Sequence, residues 1–548
     1  MVVAAMLLWE NLDVRQLAPT LAVSPRPAPE PKPPAPAAFE NRTFPVVLFN
    51  SPRNRAYFPD DSYYPGAVSR WRRLLESLGG EIREASSVED LQALTPQDLL
   101  AVPSAPCLSQ AEVASITTHL AGGGGVVSNW AVGARDELCE WRGWETVAEV
   151  TGAGDVRELA SRETLYFTVP GGLALSPGLD PGTRIELRPE PSLALHSPGP
   201  RVFWSDWALN PAPDESGGGA DVAALTARTQ GGGRTTWFGF RLSQAASPRD
   251  SLRVERLIKN GISWAAGLSV AAPTSWPDGR RATLIVVQDV EAEFQNATAM
   301  ADLLREESLP GTFFVVSRLV MDNPALAEAL TTAGEVGSQT SDHMTLAGLA
   351  LDDQQVRLRR SWTEIRGWTG SGPTGLRPPE EAFDVNTLHA WARAGGKYIL
   401  AVNQARSGSP EIHKVGEGQI VLLPRLLKDD YNVIVQEGVF RGARLSEAYL
   451  EGTDKLRALG GLAVVASHTQ ILEDGSRLNA IRDVAERVRA QGDWWDAEGN
   501  QVAAWWEGRG AVKLSLNEAG PTTPEADVPG EESTPEGQPG VSLSLIHI

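Results

Sequence analysis

Apolar residues recur along this chain in two rhythms. Residues 44–50 (FPVVLFN) form a short apolar run that reads as a buried strand. Val68, Trp71, Leu74, Leu75 and Leu78 then fall at helical spacing, and Gly79-Gly80 marks the end of that helix. Residues 99–103 repeat the strand pattern and 109–120 the helix pattern. Gly122 to Gly125 stop that helix, and Val126-Val127-Ser128 is the next strand. Strands alternating with helices predict a doubly wound parallel sheet. From about residue 163 the rhythm changes to strand-like runs, LYFTV, TRIELRP, SLALHS and RTTWFGFRL, closed by a helix over 253–267.

The second half returns to alternation. Strands are predicted at 281–287, 311–317, 398–402, 419–423 and 461–467, with helices at 297–307, 324–333 and 352–369. Polar residues cluster just after successive strands. They are Asp289 and Glu291, then Gln339 to His343, then Arg377, then His468. In an (α/β) barrel that is where an active site collects, because loops at the C-terminal strand ends share one mouth.

Composition narrows the class. The 548 residues are 42% hydrophobic and 22% charged, an ordinary globular balance. A formal charge of −20 gives no footprint for a phosphate backbone, so no nucleic-acid partner is expected. No run of 18 apolar residues occurs. The two cysteines, Cys107 and Cys139, allow one disulfide at most. Four segments follow. Residues 1–42 hold an apolar start and a proline-alternating spacer, and 43–270 the first α/β domain. Residues 278–517 hold the barrel, and 518–548 a disordered acidic tail. Two readings of residues 2–8 stay open, a chance apolar start or the remnant of a membrane anchor. The final LSLIHI resembles a translated sequencing adapter and is set aside.

Residues 281–470 resemble the NodB-type polysaccharide deacetylases, carbohydrate esterase family 4. The likeness lies in GTFFVVS (311–317), AGEVGSQTSDHMTL (333–346), GLRPPE (375–380) and VVASH (464–468), in that order. It implies an irregular (β/α) barrel and metal-dependent removal of acetyl groups from sugar polymers. The first half more distantly resembles glutamine-amidotransferase-like (ThuA-like) domains, through GGGG-VVS and GRTTWFGF. Those with catalytic activity need a cysteine between glycines on a strained turn. Cys107 has no flanking glycines and Ser128-Asn129-Trp130 has no cysteine, so this domain is expected to be non-catalytic.

Amide hydrolysis needs an activated water, a polarised carbonyl and a proton for the leaving amine. The resemblance assigns Asp289 as general base, His468 as general acid and Arg377 as the arginine that orients the base. It assigns Glu291 and His343 to a divalent metal, most readily zinc, and the backbone at Glu380 to the oxyanion. Gln339 stands where the family has its first metal histidine. A neutral amide is a poor zinc ligand, so metal affinity should fall. The side chains of Glu380 and Glu381 read as surface carboxylates. The tryptophan pairs at 494–495 and 505–506 read chiefly as core. The expected activity is deacetylation of an acetylated amino-sugar polysaccharide or cell-wall glycan. The alternative is an inactive barrel that binds glycan. A cell-envelope or extracellular location, with a lost N-terminal anchor, is the accompanying expectation.

Overall fold

The computed structural model describes residues 37–548 apart from 61, 153, 160–164, 197–200, 212–221, 403–406, 473–474, 515, 517–525, 528–542 and 547–548. The apolar start, nearly all of the proline-rich spacer and most of the acidic tail therefore lie outside the described residues. Two short tail segments are described as strands: Ala526–Asp527 pairs with Lys513–Leu514, and Leu543–Ile546 with Val270–Pro273. Among the described residues no helix is long and apolar enough to cross a membrane.

One eleven-stranded sheet organises the first domain. Gly80–Ala85, Phe44–Phe49, Leu99–Val102, Gly125–Asn129 and Gly233–Phe238 lie side by side in that order, all parallel. Beyond them the same sheet continues antiparallel through Val222–Gln230, Val202–Ser205, Leu165–Val169 and Thr183–Leu187. The change of rhythm near residue 163 is thus an extension of one sheet. Helix Tyr63–Glu76 buries Val68, Trp71, Leu74 and Leu75. It gives way to Gly79, whose φ of +86° and close approach to the Arg42 carbonyl leave no room for a side chain. Helix Gln110–Ala121 opens on a capping box between Ser109 and Glu112.

A nine-stranded sheet organises the second domain: β1 Ala282–Val290, β2 Gly311–Val315, β3 Gly334–Ser338, β4 Gly375–Leu376, β5 Tyr398–Val402, β6 Glu411–Val415, β7 Gly418–Arg425, β8 Leu462–His468 and β9 Trp494–Asp496. Their order is β6-β7-β5-β4-β3-β2-β1-β8, with β9 also on β1. All neighbours are parallel except β6 on β7. The period of two explains the core. Ile285 and Val287 of β1, with Leu462, Val464 and Ala466 of β8, join Phe314, Tyr398, Leu423, Trp505 and Trp506 in one apolar cluster. Leu284, Val286 and Val290 belong to a separate cluster with Met300 and Leu304 of the helix Ala297–Glu306. Each such aliphatic side chain contributes roughly 1.5–3 kcal/mol on full burial. Trp494, Trp505 and Trp506 are all buried, as expected of core residues.

The first domain docks where β8 begins. The Gly171 N–H donates to the Leu459 carbonyl at 2.8 Å, and Arg509 pairs with Asp180 at 2.7 Å. Phe203 and Leu209 enter the apolar cluster around the barrel helices. His468 ends β8, six residues on, about 20 Å along an extended strand.

Candidate functional site

Two inward rows deliver the central pair. Asp289 continues the row of Ile285 and Val287, and His468 continues Leu462, Val464 and Ala466. The two residues are register partners on adjacent parallel strands. His468 Nε2 lies 3.4 Å from Asp289 Oδ2. Arg377, just after β4, donates from Nε to the same oxygen at 2.6 Å. Asp289 and Arg377 are 1% and 2% exposed, so this is a buried ion pair. Burial pushes the Asp289 carboxyl upward against the pull of Arg377 and then His468. The other oxygen, Oδ1, is buried without a hydrogen-bond partner.

His468 is gripped from its far side by a residue that the sequence reading did not single out. Asp430 accepts the His468 backbone N–H at 2.8 Å, and its carboxylate lies 2.6 Å from Nδ1. Burial opposes the charged imidazole, but Asp430 and then Asp289 outweigh it and raise its pKa to about 10. Asp430 follows β7, and β7 and β8 lie near opposite edges of the strand order. This contact therefore brings the two edges together, and the polar residues after the strands share one mouth.

Glu291 lies on the other side of Asp289. Its Oε1 receives Gln339 Nε2 at 2.7 Å and faces His343 Nε2 at 3.0 Å; its Oε2 receives Gln470 Nε2 at 2.8 Å. Burial raises its pKa, yet the His343 and His468 interactions hold it down at about 2. His343 is correspondingly raised, burial being outweighed by Glu291. Gln339 Oε1 is buried and has no hydrogen-bond partner.

Both loops carrying these groups are strained. Thr340 and His343 after β3, and Glu380 and Glu381 after β4, have φ between 55° and 67° without being glycine. Such geometry costs roughly 1–3 kcal/mol per residue and persists only where the surroundings impose it. Glu364 imposes part of it, accepting Ser317 Oγ at 2.6 Å and Ser341 Oγ at 2.7 Å. Thr345 Oγ1 reaches Glu380 Oε2 at 3.2 Å, joining the two loops. Glu381 is not the surface carboxylate expected. It binds Arg377 Nη1 at 2.9 Å and takes Arg425 through Nε and Nη2 at 2.7 and 2.6 Å. The arginine that holds Asp289 is itself held.

All seven residues singled out from sequence thus lie on the loops or strand ends of this mouth, with Asp430 and Glu381 as additions. Asp289, Glu291 and His468 offer ligand atoms within 4.8 Å of one another, an acidic and histidine cluster of the kind that can hold an ion. With the geometry in hand, comparison with known proteins shows what this part of the chain is similar to. Residues 281–399 match the polysaccharide deacetylase family model. Among solved structures, a putative polysaccharide deacetylase from Mycobacterium smegmatis is 25% identical, covering 43% of this chain and 94% of that one, with a TM-score of 0.39. A probable polysaccharide deacetylase from Pseudomonas aeruginosa is 15% identical over 42% of this chain and 93% of that one (TM-score 0.38). A family 4 carbohydrate esterase pseudoenzyme from Bacillus anthracis is 14% identical over 42% and 66% (TM-score 0.31). No curated protein matches the chain.

The deacetylase-like mouth does not fit a resident zinc ion. Zinc takes three nitrogen, sulfur or carboxylate ligands plus water, at about 2.0–2.1 Å for nitrogen, which sets tetrahedral ligand atoms about 3.3 Å apart. Only Glu291 and His343 qualify on their side, and Glu291 already has N–H groups on both oxygens at hydrogen-bond distance. On the other side Asp289 Oδ2 is taken by Arg377 and His468 Nδ1 by Asp430, His468 Nε2 lies 3.4 Å from Asp289 Oδ2, and Asp289 Oδ1 is left without a donor.

Among the described residues the first domain presents no comparable cluster. Cys107 is buried and disulfide-bonded to Cys139, and no described cysteine is free. Trp130 occupies the left-handed turn after Gly125–Asn129 with φ of 58°.

Proposed function

We propose that the C-terminal domain hydrolyses acetyl groups from an acetylated amino-sugar polymer, such as a cell-wall glycan. The observation that carries this reading is the Arg377–Asp289–His468–Asp430 chain at the strand ends of a domain matching the deacetylase family model. Asp289 takes a proton from the attacking water and is aimed by Arg377. His468, kept protonated at neutral pH by Asp430, gives its proton to the leaving amine, and acetate departs. The left-handed backbone at Glu380 lies at the rim where the oxyanion would form. No step is routed through a metal ion.

A second reading has its own observation. Gln339, in the position of a metal histidine, donates to Glu291, which favours a barrel that binds glycan without cleaving it. Acetate release by the full chain, measured over a panel of acetylated amino-sugar polymers, separates the two. Release above a heat-inactivated control supports hydrolysis. Retention on the polymer without release supports binding alone.

Placement outside the cytoplasm belongs to the same proposal. The Cys107–Cys139 bond supports it, since disulfides persist in oxidising compartments. The amidotransferase-like lineage of the first domain also stays a proposal, supported by its run of parallel strands and helices.

A further inference from the structure

The carboxylate at the position of the family's metal ligand, Glu291, already faces N–H groups on both oxygens. Three side-chain nitrogens surround its two oxygens, from Gln339 at 2.7 Å, His343 at 3.0 Å and Gln470 at 2.8 Å. Its backbone N–H donates to Thr469 Oγ1 at 3.1 Å, so the carboxylate is fixed from behind as well.

Gln339 has two unlike ends. They are not interchangeable beside a carboxylate. With the NH2 group toward Glu291, a hydrogen bond forms and no ion is needed. With the carbonyl toward Glu291, two acceptor oxygens would meet at 2.7 Å, which is tolerable only with a cation between them. The structure has the NH2 group toward Glu291 and leaves Gln339 Oε1 buried without a hydrogen-bond partner. Gln339 thus gives Glu291 a direct donor. The neighbouring carboxylate Asp289 is already paired with Arg377, a permanent cation, at 2.6 Å. Asp289 Oδ1 is the carboxylate oxygen of this pair left without a donor.

We infer that Gln339 and His343 replace a divalent ion as the partners of Glu291, so that this pocket holds its shape with no resident zinc. The inference rests on the reading of Glu291 and His343 as the residues at the family's metal positions. It does not require the chain to be an active hydrolase. It also gives Gln339 a definite part, as the positioning residue that keeps Glu291 in place between Asp289 and the loop of His343.

The test is zinc content of the tag-free full chain after zinc saturation and desalting, read beside the zinc-induced change in melting temperature. Wild type is expected to retain under a tenth of an ion per chain and to show no shift. Gln339→His is expected to retain close to one ion per chain and to melt higher with zinc, and a further His343→Ala change should abolish both. Gln339→Glu provides a second route, since it removes the donor, adds an anionic ligand and should make zinc stabilising even if the histidine variant folds poorly. Wild type holding near one ion per chain that His343→Ala loses would overturn the inference. So would failure of both Gln339 variants to gain zinc, because Gln339 would then not occupy the place of the ion. Zinc found in the wild type would leave the hydrolase reading intact, whereas absent acetate release would sink that reading and leave this one untouched.

Discussion

Both domains place polar side chains at the C-terminal ends of parallel strands, yet they finish them differently. In the first domain Asn129 ends its strand fully buried. Its Oδ1 accepts Trp71 Nε1 and the Ser104 N–H at 3.2 and 2.9 Å, while Nδ2 donates to Ser104 Oγ and the Phe240 carbonyl at 2.9 and 3.3 Å. Asn54 likewise binds both backbone groups of Cys107. In the barrel, Asp289 Oδ1 and Gln339 Oε1 are buried with no hydrogen-bond partner. A buried acceptor without a donor is costly, so its persistence marks a place where something else supplies the donor. The same position in a parallel sheet is therefore fully paired at Asn129 and left partly open at Asp289.

The largest expected effect lies in the barrel. Asp289→Asn keeps the shape of the side chain and removes the base, so acetate release should fall by about 10²–10⁴-fold, the usual worth of a general base. A fall below twofold would place the base elsewhere. The matching change in the first domain acts on stability alone. Replacing Cys107 and Cys139 together by serine opens a link between residues 32 apart and should cost about 3 kcal/mol in denaturant unfolding, with acetate release unchanged. Lost activity in a folded variant would show that the first domain supports the site.

A third prediction tests a satisfied carboxyl within the barrel itself. Glu335 begins β3, away from the mouth, and receives Tyr398 Oη at 2.8 Å, the Asn500 N–H at 2.9 Å and Thr374 Oγ1 at 3.1 Å. Burial nevertheless raises its pKa to about 7. The folded protein then holds this proton more tightly than the unfolded chain. Its contribution is complete below the unfolded value of 4.5 and is lost as pH rises through about 7. Wild type should lose up to about 3 kcal/mol between pH 4.5 and 8 that Glu335→Gln does not lose, read from urea midpoints at both pH values. Parallel curves would remove Glu335 as the cause. The smallest effect is Asn129→Ala, which strands the Trp71 and Ser104 donors and should cost about 2 kcal/mol, again without altering acetate release.

Much of this contrast was legible in the sequence, for a reason that also explains the gaps. Polar residues directly after apolar runs mark strand ends, so Asp289, Arg377 and His468 could be placed before any contact was known. Asp430 follows β7 by the same rule, but four residues intervene after Arg425, so the strand-end pattern does not point to it. Glu381 was missed because its burial comes from Arg377 and Arg425, on two different strand ends. The Cys107–Cys139 link depends on a Cα separation of 5.1 Å that only the folded chain creates. The reading of Gln339 as a departure from a metal ligand comes from its place in the motif. The hydrogen bond from Gln339 to Glu291 depends on loop geometry that spacing alone does not encode.

The most direct test of the hydrolase reading is acetate release from an acetylated amino-sugar polymer by the full chain and by Asp289→Asn, matched for folded protein by melting curves. Release by the wild type that collapses in the variant is the predicted result. Equal release by both, or none from a folded wild type across the polymer panel, would contradict it.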